Sequence, residues 1–202
     1  MRILIIGGEG TIGRKVSDYF SKQHEVIICG RKSGTVNADI SDSASLEALF
    51  ASLGNVDAIV CIAGEAKWAE LSSMSEEDFW IGLKSKLMGQ VNLVRIGQRY
   101  LTPGGSFTLT TGILADHPVY MTTSPAMVNG AIHSFVKAAA LELTDGHRIN
   151  VVSSGLVEDA VDKYEAYFPG DNPIPMKKVV NGYVKSVMGK ISGQIIRMYD
   201  NS

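Results

Sequence analysis

The sequence predicts an α/β chain built on one doubly wound parallel sheet. Three observations carry that prediction. Strand-like apolar runs alternate with helix-like stretches along most of the 202 residues, the first run ends directly in a glycine cluster, and no repeat, low-complexity segment or linker divides the chain. This length supports one full core and suits a single domain, 1–202. Hydrophobic residues at 45% and charged residues at 20% exclude a disordered, collagenous or coiled-coil chain. Glycine is in excess, with 21 residues against a usual share of about 7%.

The first strand is Arg2 to Ile6, followed by a helix that places Ile12, Val16 and Tyr19/Phe20 on one face. The second strand is Glu25 to Cys29 and a short third is Thr35 to Ala38. The link between them is far below the dozen or so residues of a helical crossover, so the helix expected there is missing. A helix at Ser43 to Ser52 leads to a fourth strand, Asp57 to Cys61. A long helix, about Glu76 to Tyr100, carries Trp80, Leu83, Leu87, Val91 and Val94 at helical spacing. Pro103-Gly104-Gly105 closes that connection before a fifth strand, Ser106 to Thr110. The next helix, about Pro125 to Thr144, buries a stripe of Val128, Ile132, Phe135, Ala139 and Leu143, with Ser124 as N-cap and Pro125 at the first helical position. A sixth strand (Arg148 to Ser153), a helix (about Lys177 to Met188) and a last strand (Gln194 to Met198) complete the pattern.

The net charge of −2, without a long Lys/Arg run, argues against nucleic acid as a partner. The apolar runs fall far short of the roughly 20 residues that span a bilayer, and Met1-Arg2 leads into Gly7-Gly8 without the length or cleavage site of a signal peptide. A cytoplasmic protein with no membrane partner is expected. Cys29 and Cys61 lie in apolar strands and read as reduced, buried thiols. The four histidines show no metal-ligand spacing with carboxylates or thiols, so no metal is expected.

Gly7-Gly8-Glu9-Gly10-Thr11-Ile12-Gly13 sits between the first strand and the first helix. There a glycine turn lets a pyrophosphate touch backbone N–H groups at a helix N-terminus. The motif therefore predicts a bound dinucleotide. At the end of the second strand, an Asp or Glu would accept from a ribose 2′-OH, whereas cations would hold a 2′-phosphate. Arg31 and Lys32 stand there and favour NADP over NAD, unless they are simply solvated in a surface turn.

With these residues in place, the chain resembles the short-chain dehydrogenases/reductases over nearly its whole length. Gly7, Ile12 and Gly13 are similar to the family's glycine motif, with Thr11 at its middle glycine and Gly10 giving an alternative spacing. Ala38-Asp39-Ile40 resembles the end of the third strand that contacts adenine, although Asp39 also suits a plain turn. Cys61-Ile62-Ala63-Gly64 looks like the Asn-Asn-Ala-Gly element with both asparagines replaced. Arg148 to Gly155 is similar to the sixth strand and its Pro-Gly turn, with Ser154 for the proline, and Ser192-Gly193-Gln194 resembles the entry to the last strand. The resemblance implies a Rossmann fold with strand order 3-2-1-4-5-6-7, an oxidoreductase acting on a small carbonyl or alcohol, and a homodimer or homotetramer. In that order Cys29 and Cys61 flank strand 1, about two spacings of ~4.8 Å apart, too far for a disulfide.

The family's catalytic Tyr-x-x-x-Lys pair is not present at its expected place. Counting back from Leu143 puts Pro125 at the tyrosine position and Asn129 at the lysine position. The supporting serine falls on Gly112, beside Thr111, and the structural asparagine of the long helix falls on Lys86. A divergent, degenerate active site is the expectation, with the catalytic residues unassigned. Thr110, Thr111, His117, Tyr120, Thr122, Thr123, Ser124 and His133 could reach the same mouth; Thr111 with Tyr120 is the leading pair. Leu156 to Pro175, with Tyr164, Tyr167 and Phe168, occupies the place of the substrate lid, or serves as a packing loop. The alternative to an enzyme is a non-catalytic dinucleotide-binding or redox-sensing protein.

Overall fold

The structure, a computed structural model, describes residues 1–199. Strands β1 (Arg2–Ile6), β2 (Glu25–Gly30), β3 (Val36–Asn37), β4 (Val56–Cys61), β5 (Leu101–Gly112), β6 (Arg148–Ser154) and β7 (Ile195–Met198) form one sheet in the order β3-β2-β1-β4-β5-β6-β7. Every neighbouring pair is parallel. The fold class and strand order are those expected from the sequence. Side chains alternate along β1 as period two requires. Leu4 and Ile6 join the core under α2 (Ser43–Leu53), α4 (Gly89–Gly97) and α5 (Thr123–Glu142), while Ile3 and Ile5 join the core under α1 (Thr11–Phe20) and α7 (Met176–Met188). Two buried faces explain why the strands read as near-continuous apolar runs.

The link between β2 and β3 carries no helix. The Gly34 backbone, at φ +107°, turns the chain back so that the Thr35 N–H donates to the Ile28 carbonyl at 2.8 Å. Strand β3 itself is two residues long rather than the expected four, since only Cys29↔Val36 and Gly30↔Asn37 pair. In α1 the buried aromatic is Phe20, whereas Tyr19 is exposed.

The long helix departs most from its expectation. It breaks into α3 (Glu76–Gly82), a π-helical turn (Leu83–Met88), α4 and a short 3₁₀ turn. The wider turn shifts the helical phase. Consequently α4 buries Gln90, Leu93, Val94 and Gly97 rather than Val91; Trp80, on α3 before that turn, is 46% exposed. α3 starts with a full capping box, Ser75 and Asp78 bonding each other's backbone N–H.

Helix α5 begins at Thr123, not Pro125, so Ser124 is not its N-cap. Ser124 lies inside the first turn, fully buried, and its Oγ has no partner. The buried stripe runs through Val128, Ile132 and Val136, with Phe135, Ala139 and Leu143 packed partly buried beside it. Gly104-Gly105 sit inside β5, at an irregularity where the register with β4 jumps from Val56↔Leu101 to Ala58↔Ser106.

Between β6 and α7 the chain folds through a 3₁₀ turn, α6 (Val161–Tyr164) and a second 3₁₀ turn. Phe168 packs with Ile113, Leu114 and Leu156, anchoring this segment over the carboxyl ends of β5 and β6. No helix among the described residues is long and apolar enough to cross a membrane.

Candidate functional site

A cleft runs along the carboxyl ends of β2, β1, β4 and β5, where an open parallel sheet places its ligands. At one end Gly7, Arg31, Asp39, Ile40, Ala63 and Gly64 are among the residues around a cavity of about 320 Å³. The middle is formed by Gly10, Thr11, Ile12 and Gly13 facing Gly64, Lys86 and Thr111. The far end opens into a cavity of about 600 Å³.

The glycine turn fits a pyrophosphate for steric reasons visible in the backbone. A Cβ at Gly7, whose φ is +78°, would lie 2.4 Å from the Ile62 carbonyl oxygen, and one at Gly13 would lie 2.0 Å from the Gly7 carbonyl oxygen. The turn and α1 therefore close tightly against each other. Gly10 differs: its Cβ would meet only the Gly7 oxygen, at 3.4 Å, and would otherwise stand in the cleft. Gly10 caps α1 without a side chain, which leaves the first-turn amides of Thr11 and Ile12 facing the cleft as donors.

Most of the candidate cofactor residues gather here, but their partners differ. Ala38, Asp39 and Ile40 line the first cavity together. The Asp39 carboxylate also accepts from the Ser41 N–H and hydroxyl, bonds that hold it below the usual carboxylate range. Arg31 lines the same cavity and lies 3.4 Å from Glu65, both side chains being exposed. Lys32 is exposed and not part of the lining, and the neighbouring Ser33 hydroxyl donates to the Glu9 carboxylate. Cys61 is not brought into the cleft. Its side chain is 0% exposed in the core beneath the sheet, and burial pushes its thiol up to about 11, as it does that of Cys29. Both cysteines are free.

At the β5 end of the cleft, Gln90 clamps the strand where β4 ends. Its amide donates to the Thr110 carbonyl at 3.0 Å and accepts from the Thr110 N–H at 2.9 Å. The Thr110 hydroxyl is held between the Cys61 carbonyl and the buried Tyr183 hydroxyl, at 2.6 and 2.8 Å, so it is not free for chemistry. Thr111 lines the cleft, and its Oγ1 lies 2.8 Å from His133 Nε2. Burial lowers the His133 pKa, opposed by the nearby Asp116 carboxylate. The Asp116 pKa in turn is held down at about 2 by a two-point pairing with Arg197 and by the Tyr199 hydroxyl.

Tyr120 is not brought to this mouth. It is 70% exposed and its hydroxyl donates to Glu70 at 2.6 Å, which raises its pKa, the opposite of activation. Thr122 bonds within its own loop to Val119, and His117 packs edge-on against Tyr199. Pro125 and Asn129 do line the far cavity, and the Asn129 Oδ1 is buried without a partner.

Two site features escaped sequence reasoning. His133 sits one helical turn after Asn129, but nothing local shows that it meets Thr111, 22 residues away. Lys86 reads as a departure from the family pattern, yet its stem packs against Gly64, where a Cβ would lie 2.7 Å from the Lys86 Cα, and it lines both the middle and the far cavity. The signal for it is the lysine itself on a helix otherwise facing the site. Among the described residues no cluster of His, Cys, Asp and Glu could hold a metal.

Comparison with known proteins agrees with this arrangement. The family described as enoyl-(acyl carrier protein) reductase matches residues 17–181, starting just after the glycine turn. Versicolorin reductase 1 from Dothistroma septosporum is 23% identical over 181 residues, covering 82% of this chain, which spans 66% of that protein's length. A Listeria innocua protein of known crystal structure superposes with a TM-score of 0.97 at 42% identity, over 98% of this chain and 100% of the other. A small-chain dehydrogenase solved in complex with NADPH superposes with a TM-score of 0.87 at 25% identity, over 98% and 96% of the two chains. The parallel sheet, the glycine turn against α1 and the matched span together establish that this chain belongs to the short-chain dehydrogenase/reductase family, whose members use a nicotinamide dinucleotide.

Proposed function

We propose that this chain is a single-domain, NADP-binding oxidoreductase that acts on a small carbonyl or alcohol through a degenerate active site. The observation that carries the reading is the continuity of the cleft, from Arg31 and Asp39 past the open α1 amides to Thr111. The bound dinucleotide would supply or take up a hydride; orientation and proton handling fall to the chain. Thr11 and Ile12 amides would hold the pyrophosphate, Ala38 to Ile40 and Ala63 the adenine end, and Arg31 and Lys32 a 2′-phosphate. The NADPH bound to one structural neighbour and the reductase name of a curated relative support this direction.

Thr111 is the hydroxyl placed to give a proton to an oxyanion forming in the far cavity. His133 Nε2, at 2.8 Å, would replenish it. Asn129 offers an unpaired acceptor beside them for a substrate hydroxyl. Pro125 can neither donate nor ionise, and an amide at Asn129 carries no positive charge, so the usual tyrosine–lysine pair is replaced rather than shifted along the helix. That same observation favours the second reading, a non-catalytic dinucleotide-binding or redox-sensing protein. A homodimer or homotetramer is in keeping with Trp80, Ile81 and Met88, which stand exposed on α3 and the π turn, and with Met127 on α5. A cytoplasmic location fits the absence of a membrane-crossing helix among the described residues.

Calorimetric titration with NADPH and NADH tests the binding half. NADPH should bind at micromolar concentration and more tightly than NADH, and Arg31→Ala should narrow that preference. Failure of both cofactors to bind below millimolar concentration overturns the proposal. A panel of small carbonyl compounds then separates the two readings: turnover that falls in Thr111→Val and His133→Gln supports the enzyme, and no turnover with intact binding supports the sensor.

A further inference from the structure

The far cavity carries more information than its position. Its volume, about 600 Å³, falls in the range of small-molecule sites, and one wall is aromatic. Trp68 meets Tyr164 at 5.5 Å between ring centroids and Tyr167 edge-on at 5.3 Å, so three rings from two distant segments converge on one cavity. Such a wall accepts a flat ring by stacking or edge contact.

Two ammonium groups border the same space. Lys163 from α6 lies over the Tyr164 ring, 4.9 Å from its centroid, and Lys86 enters from the π turn opposite. Lys86 is half-buried and makes neither a hydrogen bond nor an ion pair among the described residues, and desolvation lowers its pKa. The titratable neighbour that could pair with it is the Cys61 thiol, which burial keeps neutral at pH 7. The carboxylate that shares the cavity, Glu65, is paired with Arg31. A desolvated cation with no counter-ion is costly, and an anion entering the cavity would remove that cost. The position of the lysine matters too: it lines both the cofactor cleft and the far cavity, so an anion bound to it lies at their junction.

We infer that the far cavity takes an aromatic carboxylate, its ring against Trp68, Tyr164 and Tyr167 and its carboxylate on Lys86, with Lys163 adding positive charge at the rim. The inference rests on reading this cavity as the substrate end of the cofactor cleft, and it names the class of compound that end selects. Lys86 then orients the ligand, while Thr111 and His133 keep the proton.

The test is calorimetric titration of the full chain with 2-naphthoate, alone and with saturating NADP⁺, alongside the neutral isostere 2-naphthamide and the non-aromatic cyclohexanecarboxylate. The anion should bind about tenfold or more tightly than the amide, the worth of one charge-assisted hydrogen bond. Lys86→Met should abolish that preference, Lys86→Arg should restore most of it, and Trp68→Leu should weaken 2-naphthoate toward the non-aromatic acid. Circular dichroism confirms folding of each variant, and Lys86→Gln replaces Lys86→Met if the latter does not fold. Equal binding of acid and amide, or an unchanged preference in the Lys86 variants, overturns the inference. So does undetectable 2-naphthoate binding by protein that binds NADPH normally. Loss of NADPH binding with 2-naphthoate binding intact overturns the dinucleotide reading instead.

Discussion

Two glycines of the same turn should respond differently to one methyl group. Gly10 has φ −69° and ψ 175°, a conformation open to alanine, and its Cβ would touch only the Gly7 carbonyl oxygen at 3.4 Å. Gly10→Ala should therefore fold with a stability within about 1 kcal/mol of the parent, since the weaker cap is offset by a less flexible unfolded chain. The methyl would stand in the cleft before the Thr11 and Ile12 amides. Losing one or two charge-assisted bonds to a phosphate, about 1.5–3 kcal/mol each, lowers dinucleotide affinity by at least about tenfold. At Gly13 the Cβ would lie 2.0 Å from the Gly7 oxygen and 2.9 Å from the Gly8 Cα, and backbone must move by more than an ångström. Overpacking of about 3 kcal/mol outweighs a helix-propensity gain of about 1 kcal/mol, a net loss of about 2. At roughly 3 °C per kcal/mol for a chain of this size, Tm should fall by ~6 °C, and binding falls with it. Thermal melts paired with NADPH titration read both effects. A Gly10→Ala protein that binds NADPH within twofold of the parent would refute the placement of the phosphates at the α1 amides.

Other substitutions give separate checks. The buried His133 has its pKa lowered, so between that value and 6.5 the unfolded chain binds more protons, and stability falls as pH drops below 6.5 by at most about 1.4 kcal/mol per unit; His133→Gln should flatten this slope in urea melts at pH 5 to 7. Tyr120→Phe should leave any turnover and the urea-unfolding midpoint unchanged, because its exposed hydroxyl bonds only Glu70; a large loss of activity would return the phenol to the site. Thr110→Val removes a hydroxyl held by the Cys61 carbonyl and the Tyr183 hydroxyl, and urea unfolding should show a loss of about 1–3 kcal/mol.

Periodicity and glycine placement made much of this protein legible from its residues. The alternation of Ile3 and Ile5 against Leu4 and Ile6, and the glycines that follow them, are short-range patterns that dictate a strand, a turn and a helix in that order. Local pattern misled where phase shifts. The π turn at Leu83–Met88 moves every later residue of the helix around its axis, which turns Val91 out of the core stripe, and Lys86, within that turn, lines the cleft. Ser124 before Pro125 has the composition of a cap, yet α5 starts two residues before Pro125, at Thr123, and buries Ser124.

The chemistry divides along the same line. The parallel sheet, the glycine turn and the standing of Pro125 and Asn129 at the start of α5 were legible because each is written in neighbouring residues or in a fixed spacing. Which other polar side chains meet at the cleft is set by packing between distant segments. Tyr120 belongs to an exposed loop beside Glu70, while Thr111 and His133, on a strand and a helix, meet at 2.8 Å. Trp68, Tyr164 and Tyr167 likewise become one wall only when the segment after β6 folds back over the sheet. Contacts between residues distant in the chain follow from how helices pack on the sheet, and no local periodicity encodes which side chains that packing brings face to face.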